Sequence, residues 1–472
     1  MAILVIDSGL SAVKVAAFNV DGTVLAQHES VNSAVQTTGE KSRVCMNGLI
    51  DLVFGLIKKV LADLSASKQI DAVSLTGHGN GAYLVDNDGN GICAIGSMDT
   101  SATFLVDNWK EQGIASDIAE LTGGAIWPGQ PLAILASMKD KLPVDSKLLF
   151  CKDWIRFCLT GECVTDPGDA SAAGLLDFKT GGWSYEAMKL AGLENFDDIF
   201  PQISEGCDSQ TGSIHTEASK LTGIPQGVPV YAGSIDLAMG ALGDGLADAN
   251  TLHITAGTWA IIQKRTQHDI KPDNILQIIN SPWQDEKLLV ESSPTGAVNF
   301  SVAQKMLGLG KPDFDLWESW AGETVAEDSL MYLPYPSGCW DMPNARAALR
   351  GISQNISQVQ IIRAIYEGTV LGITRQVNKF ISAGETPKSI LLTGGLSRSD
   401  VWVQMLCNAT QLSTEVADDP HAGLRGAMLC AANGLGIEIK EFGYERKYFE
   451  PDSNSKENWN KRLEKFMNKL EV

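Results

Sequence analysis

The run Val228-Pro229-Val230-Tyr231-Ala232-Gly233-Ser234-Ile235-Asp236-Leu237-Ala238-Met239-Gly240 begins as a strand and ends as a helix. Its first half is β-branched and small, bounded by Pro and Gly, as a short buried strand should be. Leu237 to Leu242 then reads as helical, so Asp236 stands where the strand gives out. A carboxylate at a strand end facing a helix start sits where α/β proteins place reactive groups. A second strand, Thr251-Leu252-His253-Ile254-Thr255, runs through Ala256-Gly257-Thr258-Trp259 into Ala260-Ile261-Ile262-Gln263. Such a tight turn exposes backbone N–H groups and a hydroxyl, the donors a phosphate needs. By themselves, these features equally describe a helix-capping Asp and an ordinary hairpin.

The same grammar recurs along the chain. Ile3 to Ile6 is apolar, Asp7-Ser8-Gly9-Leu10-Ser11 breaks it, and Val13 to Phe18 resumes it; Asn19-Val20-Asp21-Gly22 then turns into a third strand, 23–27. Leu49, Val53, Leu56, Ile57, Val60 and Leu61 predict a helix over 48–64. A strand at 72–75 enters the turn Thr76-Gly77-His78-Gly79-Asn80-Gly81, and one at 390–392 enters Thr393-Gly394-Gly395-Leu396-Ser397. Helices are predicted over 359–381, 400–409, 424–433 and 456–470. The pattern is a weak internal duplication. It predicts two similar α/β domains, 1–245 and 246–472, facing each other across a cleft.

Composition narrows the function. The 472 residues are 44% hydrophobic and 20% charged, enough to fill real cores. A net charge of −20 lacks the basic footprint of a nucleic-acid binder and disfavours anionic membrane surfaces. The nine cysteines are scattered without CxxC spacing, consistent with reduced thiols in a cytoplasmic protein. No apolar run approaches the roughly 18 residues of a membrane span.

With these motifs in order, the chain resembles the FGGY family of carbohydrate kinases, with a ribonuclease-H-like, actin-like fold. Asp7 to Lys14 resembles the family's first phosphate turn, and Thr255 to Thr258 its second. Gly233 to Gly243 resembles the segment bearing its catalytic base, Gly394 to Trp402 its adenosine motif, and Cys151-Lys152-Asp153-Trp154-Ile155 with Leu159-Thr160-Gly161 a segment of its sugar-binding domain. The glycine turn, the Lys152-Asp153-Trp154 run and Thr165-Asp166-Pro167 look closest to erythritol-kinase-like and L-xylulose-kinase-like members.

The resemblance implies a kinase using ATP and Mg²⁺ on a small sugar or polyol, with a homodimer left open. It assigns Asp236 as catalytic base, with Asp7 and Asp236 toward the metal. It assigns Asp7, Gly9, Ser11, Lys14, Gly257, Thr258, Gly394, Gly395 and Ser397 to ATP. His78, Asn80, Asp99, Trp127, Asp153 and Asp236 are expected toward substrate. Three departures stand out: Leu10 replaces a Thr of the phosphate turn, Thr100-Ser101 replaces an Arg after Asp99, and the run Gly39 to Val44 lacks an E-x-D pair. They leave two alternatives: a catalytically weak sugar sensor on this fold, or a D-xylulose kinase.

Overall fold

The computed structural model describes residues 1–65, 68–143, 145–268, 270, 275–308, 313–324, 327–417, 419–439 and 446–470. The chain divides into two units. One comprises Met1–Gly245, Gln277–Leu288 and His421–Gly443; the other comprises Leu246–Leu276, Leu289–Pro420 and Tyr444–Val472. The expected split at 245/246 is crossed by two later segments that pack with the first unit.

The first unit is built on a six-stranded sheet. Its middle strand, Ala2–Ser8, pairs antiparallel with Ala12–Asn19 and parallel with Ile70–Gly77. Ile70–Gly77 in turn pairs parallel with Pro229–Ile235. The inner strands are near-continuous Val, Ile, Leu and Ala because both faces are covered. The helix Met46–Asp63 covers one face with Leu49, Val53, Leu56, Ile57 and Val60. On the other face lies the helix Ala422–Gly434, whose Leu424, Ala427, Met428 and Ala431 meet Ile3, Val5, Ala16 and Phe18. A second sheet orders Val35–Thr38, Lys41–Val44, Gly91–Ile95, Ala82–Val85 and Lys147–Leu149 side by side.

The second unit repeats this plan. Thr251–Ala256 pairs antiparallel with Ala260–Thr266 and parallel with Ser389–Thr393. Ser389–Thr393 pairs parallel with Ser413–Val416, which pairs antiparallel with Lys447–Phe449. In the first unit Ile70–Gly77, Pro229–Ile235 and Gln210–Ser213 follow the same order and sense. The long helix Gln358–Ser382 starts at a capping box formed by Ser357 and Gln360 and buries Ile362, Ile365, Tyr366, Val370 and Ile373.

Two glycines show how tightly helices are seated in the first unit. A Cβ on Gly426 would lie 1.9 Å from the carbonyl oxygen of Met239, in the helix Asp236–Gly243. A Cβ on Gly55, inside Met46–Asp63, would meet nothing within 4 Å. The same substitution therefore has opposite signs. Gly426→Ala should cost about 1–3 kcal/mol through overpacking, and Gly55→Ala should gain about 0.5–1 kcal/mol through lost unfolded-state freedom. Urea unfolding midpoints measure both; a shift in the same direction would contradict the packing described.

Candidate active site

The register of the first sheet assembles the site. Asp7 lies opposite Lys14 on one neighbouring strand and opposite Thr76 on the other, and Thr76 pairs with Ser234. Side chains in register share a face, and His78 and Asp236 follow immediately past the ends of their strands, near enough for their charges and that of Asp7 to act on one another. Asp7, His78 and Asp236 thus collect at the carboxyl ends of three adjacent parallel strands. Gly233 makes the bend possible: its φ is +62°, and a Cβ there would lie 1.6 Å from the carbonyl oxygen of Leu75. Gly423, in the first turn of Ala422–Gly434, closes over Asp7; its Cβ would stand 3.5 Å from Asp7 Oδ2.

The three groups feel one another. Burial pushes Asp236 up from 3.8 to about 6, the Asp7 charge adds to this, and His78 opposes it. Burial likewise pushes Asp7 up to about 6, against the pull of Lys14 and His78. Burial lowers His78, whose Nε2 lies 3.1 Å from the Tyr83 hydroxyl. The Leu237 N–H donates to Asp236 Oδ1 at 2.7 Å, fixing one oxygen and leaving the other for chemistry.

Beneath this cluster lies a buried ion network. Lys152 Nζ stands 2.6 Å from Asp153 Oδ1, 2.8 Å from Asp166 Oδ1 and 3.1 Å from Asp169 Oδ2. Arg156 adds a 3.0 Å contact to Asp153. Burial raises Asp169 well above its ordinary carboxylate value against the pull of Lys152, and the Asp166 and Asp153 charges add to the rise. The network supports the strand end directly: Ser234 donates to Asp166 at 2.6 Å, and Thr76 donates to the Ser234 carbonyl at 2.8 Å.

Two residues expected toward substrate are held by fixed partners in the structure. Asp153 has no exposed surface and is consumed by Lys152 and Arg156. Asp99 is 3% exposed; its oxygens accept from the Ser42 and Ser101 N–H groups and from Arg43. Arg43, overlooked in the sequence, stays about half exposed at that contact. It belongs to the small sheet, opposite Ile95, and only that long-range pairing brings it to Asp99. Asn80 adopts φ +61° and its buried Oδ1 has no hydrogen-bond partner, the strain and unmet polarity expected where a ligand docks. Asn80 adjoins Gly81, whose N–H donates to Gly129, and Trp127 lies half-buried two residues before Gly129.

The phosphate-turn residues fall in both units. In the first, the Gly9 N–H closes its turn on the Ala12 carbonyl at 3.0 Å, and Ser11 is exposed. In the second, the carbonyls of Gly257 and Thr258 accept from Ala297 and Val298, and Thr258 is exposed. A Cβ on Gly395 would meet nothing within 4 Å, leaving its surface open, whereas Ser397 is buried and donates to the Gly394 carbonyl.

Residues 2–243 match the model of the FGGY family of carbohydrate kinases, N-terminal domain, and residues 253–435 match that of its C-terminal domain. The probable L-xylulose kinase of Haemophilus influenzae is 26% identical over 478 residues, spanning 99% of this chain and 98% of that protein. The erythritol kinase of Brucella abortus is 27% identical over 471 residues, spanning 92% of this chain and 87% of that protein. The crystal structure of ligand-bound xylulose kinase from Lactobacillus acidophilus superposes with a TM-score of 0.92 at 22% identity, covering 99% of this chain and 97% of that one. Among the described residues no helix is long and apolar enough to cross a membrane.

The raised carboxylates make a stability prediction with a definite sign. A carboxyl whose folded pKa is raised favours the folded state while protonated and loses that contribution as pH rises through the folded value. The window here runs from 3.8 to about 6. In magnesium-free buffer, Asp236→Asn should therefore be more stable than the parent by about 1–3 kcal/mol at about pH 8, with the advantage fading near pH 4. Melting temperatures across that range test it; a variant less stable at the alkaline end would contradict it.

Proposed function

Because the chain belongs to the FGGY family of carbohydrate kinases and has its two-domain, actin-like ATPase fold, we propose that it moves the γ-phosphate of ATP onto a hydroxyl of a small ketose or polyol with Asp236 as base. The observation that carries this reading is the Asp236 carboxylate itself. It is half-buried at a central strand end, pushed up to about 6, with one oxygen fixed by Leu237. A base near neutrality is matched to taking a proton from an alcohol as it attacks. The alcohol oxygen bonds to the γ-phosphorus, the bond to the β,γ-bridging oxygen breaks, and ADP leaves with that oxygen. Asp236 takes the hydroxyl proton.

Little covalent help is needed in such a transfer; positioning and charge neutralisation dominate. Gly9, Ser11 and Lys14 in the first unit, and Gly257, Thr258, Gly394 and Gly395 in the second, are the groups proposed to receive the nucleotide. Ser397 acts in this reading by shaping the Gly394 turn. Among the described residues no three His, Cys, Asp or Glu side chains gather around one ion position. Magnesium keeps most of its water and takes one or two carboxylates, so Asp7 with Asp236 fits it as a holder. When bound, the ion neutralises phosphate charge.

On the substrate side Asn80, the Arg43 guanidinium steadied by Asp99, and Trp127 are the proposed contacts, with His78 ordering the turn from within. Arg43 supplies a guanidinium that the run after Asp99 lacks, so of the two sugar-side departures the missing E-x-D pair remains. Each hydroxyl left unpaired on burial costs about 1–3 kcal/mol, which favours a ligand with a different hydroxyl pattern. L-Xylulose and erythritol, the substrates in the relatives' names, are the leading choices.

An ADP-release assay across L-xylulose, erythritol, D-xylulose, the ribuloses, pentitols and glycerol tests this. The expected result is highest kcat/KM for L-xylulose or erythritol. D-xylulose best by about tenfold or more, a margin equal to one lost hydrogen bond, would overturn the substrate assignment and leave the kinase reading standing.

A further inference from the structure

Three sulfurs converge in the first unit, contributed by segments far apart in sequence. The Cys430 thiol lies 3.2 Å from Cys207 Sγ and 3.6 Å from Met239 Sδ. Cys430 is on Ala422–Gly434, Met239 on Asp236–Gly243, and Cys207 on the loop before the strand Gln210–Ser213. Cys430 is sealed at 2% exposure, whereas Cys207 lines the wall of a polar cavity of about 850 Å³ with Ser204, Asp208, Ser281 and Trp283. None of these groups is used in phosphoryl transfer.

We propose that Cys207 and Cys430 form an oxidisable dithiol, a modification site open to small hydroperoxides through this cavity, whose disulfide state slows the kinase. The chemistry balances without any other reactant. Cys207 sulfur attacks one peroxide oxygen, the O–O bond breaks, and the other oxygen leaves with the thiol proton as water from hydrogen peroxide, or as the alcohol from an alkyl hydroperoxide; Cys207 is now a sulfenic acid. Cys430 sulfur then attacks that sulfur, the S–O bond breaks, and a second water carries away the Cys430 proton. Both sulfurs are oxidised by one electron and the peroxide is reduced by two. The order follows from access: Cys430 donates to Cys207 and, with burial, is held well above the usual thiol range, so Cys207 meets the oxidant first.

The link to turnover is mechanical. To bond, the two sulfurs must close by about 1 Å, and both backbones are joined by close contacts to the segment that carries Asp236. The Gly233 N–H donates to the Cys207 carbonyl at 2.8 Å, and Gly233 has no space beside Leu75. On the other side, Gly426 packs backbone to backbone against Met239. Both paths end at Asp236: Gly233 lies three residues before it and Met239 three residues after it. Misplacement of a reacting group by about 1 Å lowers rates by up to a hundredfold.

This inference rests on the kinase reading for its rate effect and on nothing but the thiols for the bond, so the experiment reads both. The full-length protein is treated with hydrogen peroxide, alkylated, and examined by peptide mass mapping, with ADP release followed in parallel on whichever sugar supports turnover. The expected outcome is a Cys207–Cys430 linked peptide short of two hydrogens. With it comes a fall in turnover of about tenfold or more, reversed by dithiothreitol. Cys207→Ser and, separately, Cys430→Ala should turn over like the reduced parent and resist peroxide. Absence of the linked peptide, or over-oxidation of Cys207 in its place, would overturn the site. A linked peptide with unchanged turnover would overturn its coupling to Asp236. A reduced protein with no turnover on any sugar would count against the kinase reading alone, because the linked peptide is measured without it.

Discussion

A buried ammonium holds the active end of this molecule in shape. Lys152 has almost no exposed surface, and three carboxylates converge on it. An ion so placed is costly to bury and is tolerated only when its partners are fixed around it. Here the partners come from two helices, and one of them, Asp166, also caps Pro167–Ala172 and accepts from Ser234. The strand end that presents Asp236 is therefore tied to the network through Ser234, and the neighbouring strand through Thr76. Gly77 packs close to Lys152 itself, since its Cβ would stand 3.6 Å from the Lys152 Cβ. The scaffold is polar because it must orient hydroxyls and carbonyls, a task an apolar core cannot perform.

Above that network the cluster runs on opposite logic. Burial raises both Asp7 and Asp236, and the Asp7 charge adds to the rise of Asp236. The contrast separates structural from chemical carboxylates within one small region. Asp153 is depressed because Lys152 and Arg156 outweigh its burial, whereas burial raises Asp236 to about 6. Sites that work by proton transfer hold their groups near the working pH, and structural ion pairs drive theirs away from it.

Much of this was legible in the sequence, for a physical reason. The hairpin at Asp7, the strands at 70–77 and 251–256, and the helices 46–63, 358–382 and 456–470 follow from local periodicity and turn chemistry. Asp236 was identifiable because a strand-to-helix switch is written in contiguous residues. What escaped depends on distant pairing. Lys152 has Asp153 as a neighbour in sequence but gives no local sign of Asp166 and Asp169. Arg43 reaches Asp99 only because a short strand with exposed residues pairs with Gly91–Ile95. Asp153 and Asp99 carry the residue type of a sugar ligand, and their burial against Lys152, Arg156 and Arg43 is something no motif encodes. The return of 421–443 to the first unit was hidden for the same reason: its apolar face is that of any core helix.

The central claim is that Asp236 is the base in phosphoryl transfer, and one substitution tests it. Asp236→Asn keeps the shape and the Leu237 hydrogen bond while removing the charge. The account predicts sugar and nucleotide binding within a few-fold of the parent by calorimetry, with kcat lower by roughly a hundredfold or more. Parental turnover by the Asn variant, on a sugar that the parent phosphorylates, would contradict it.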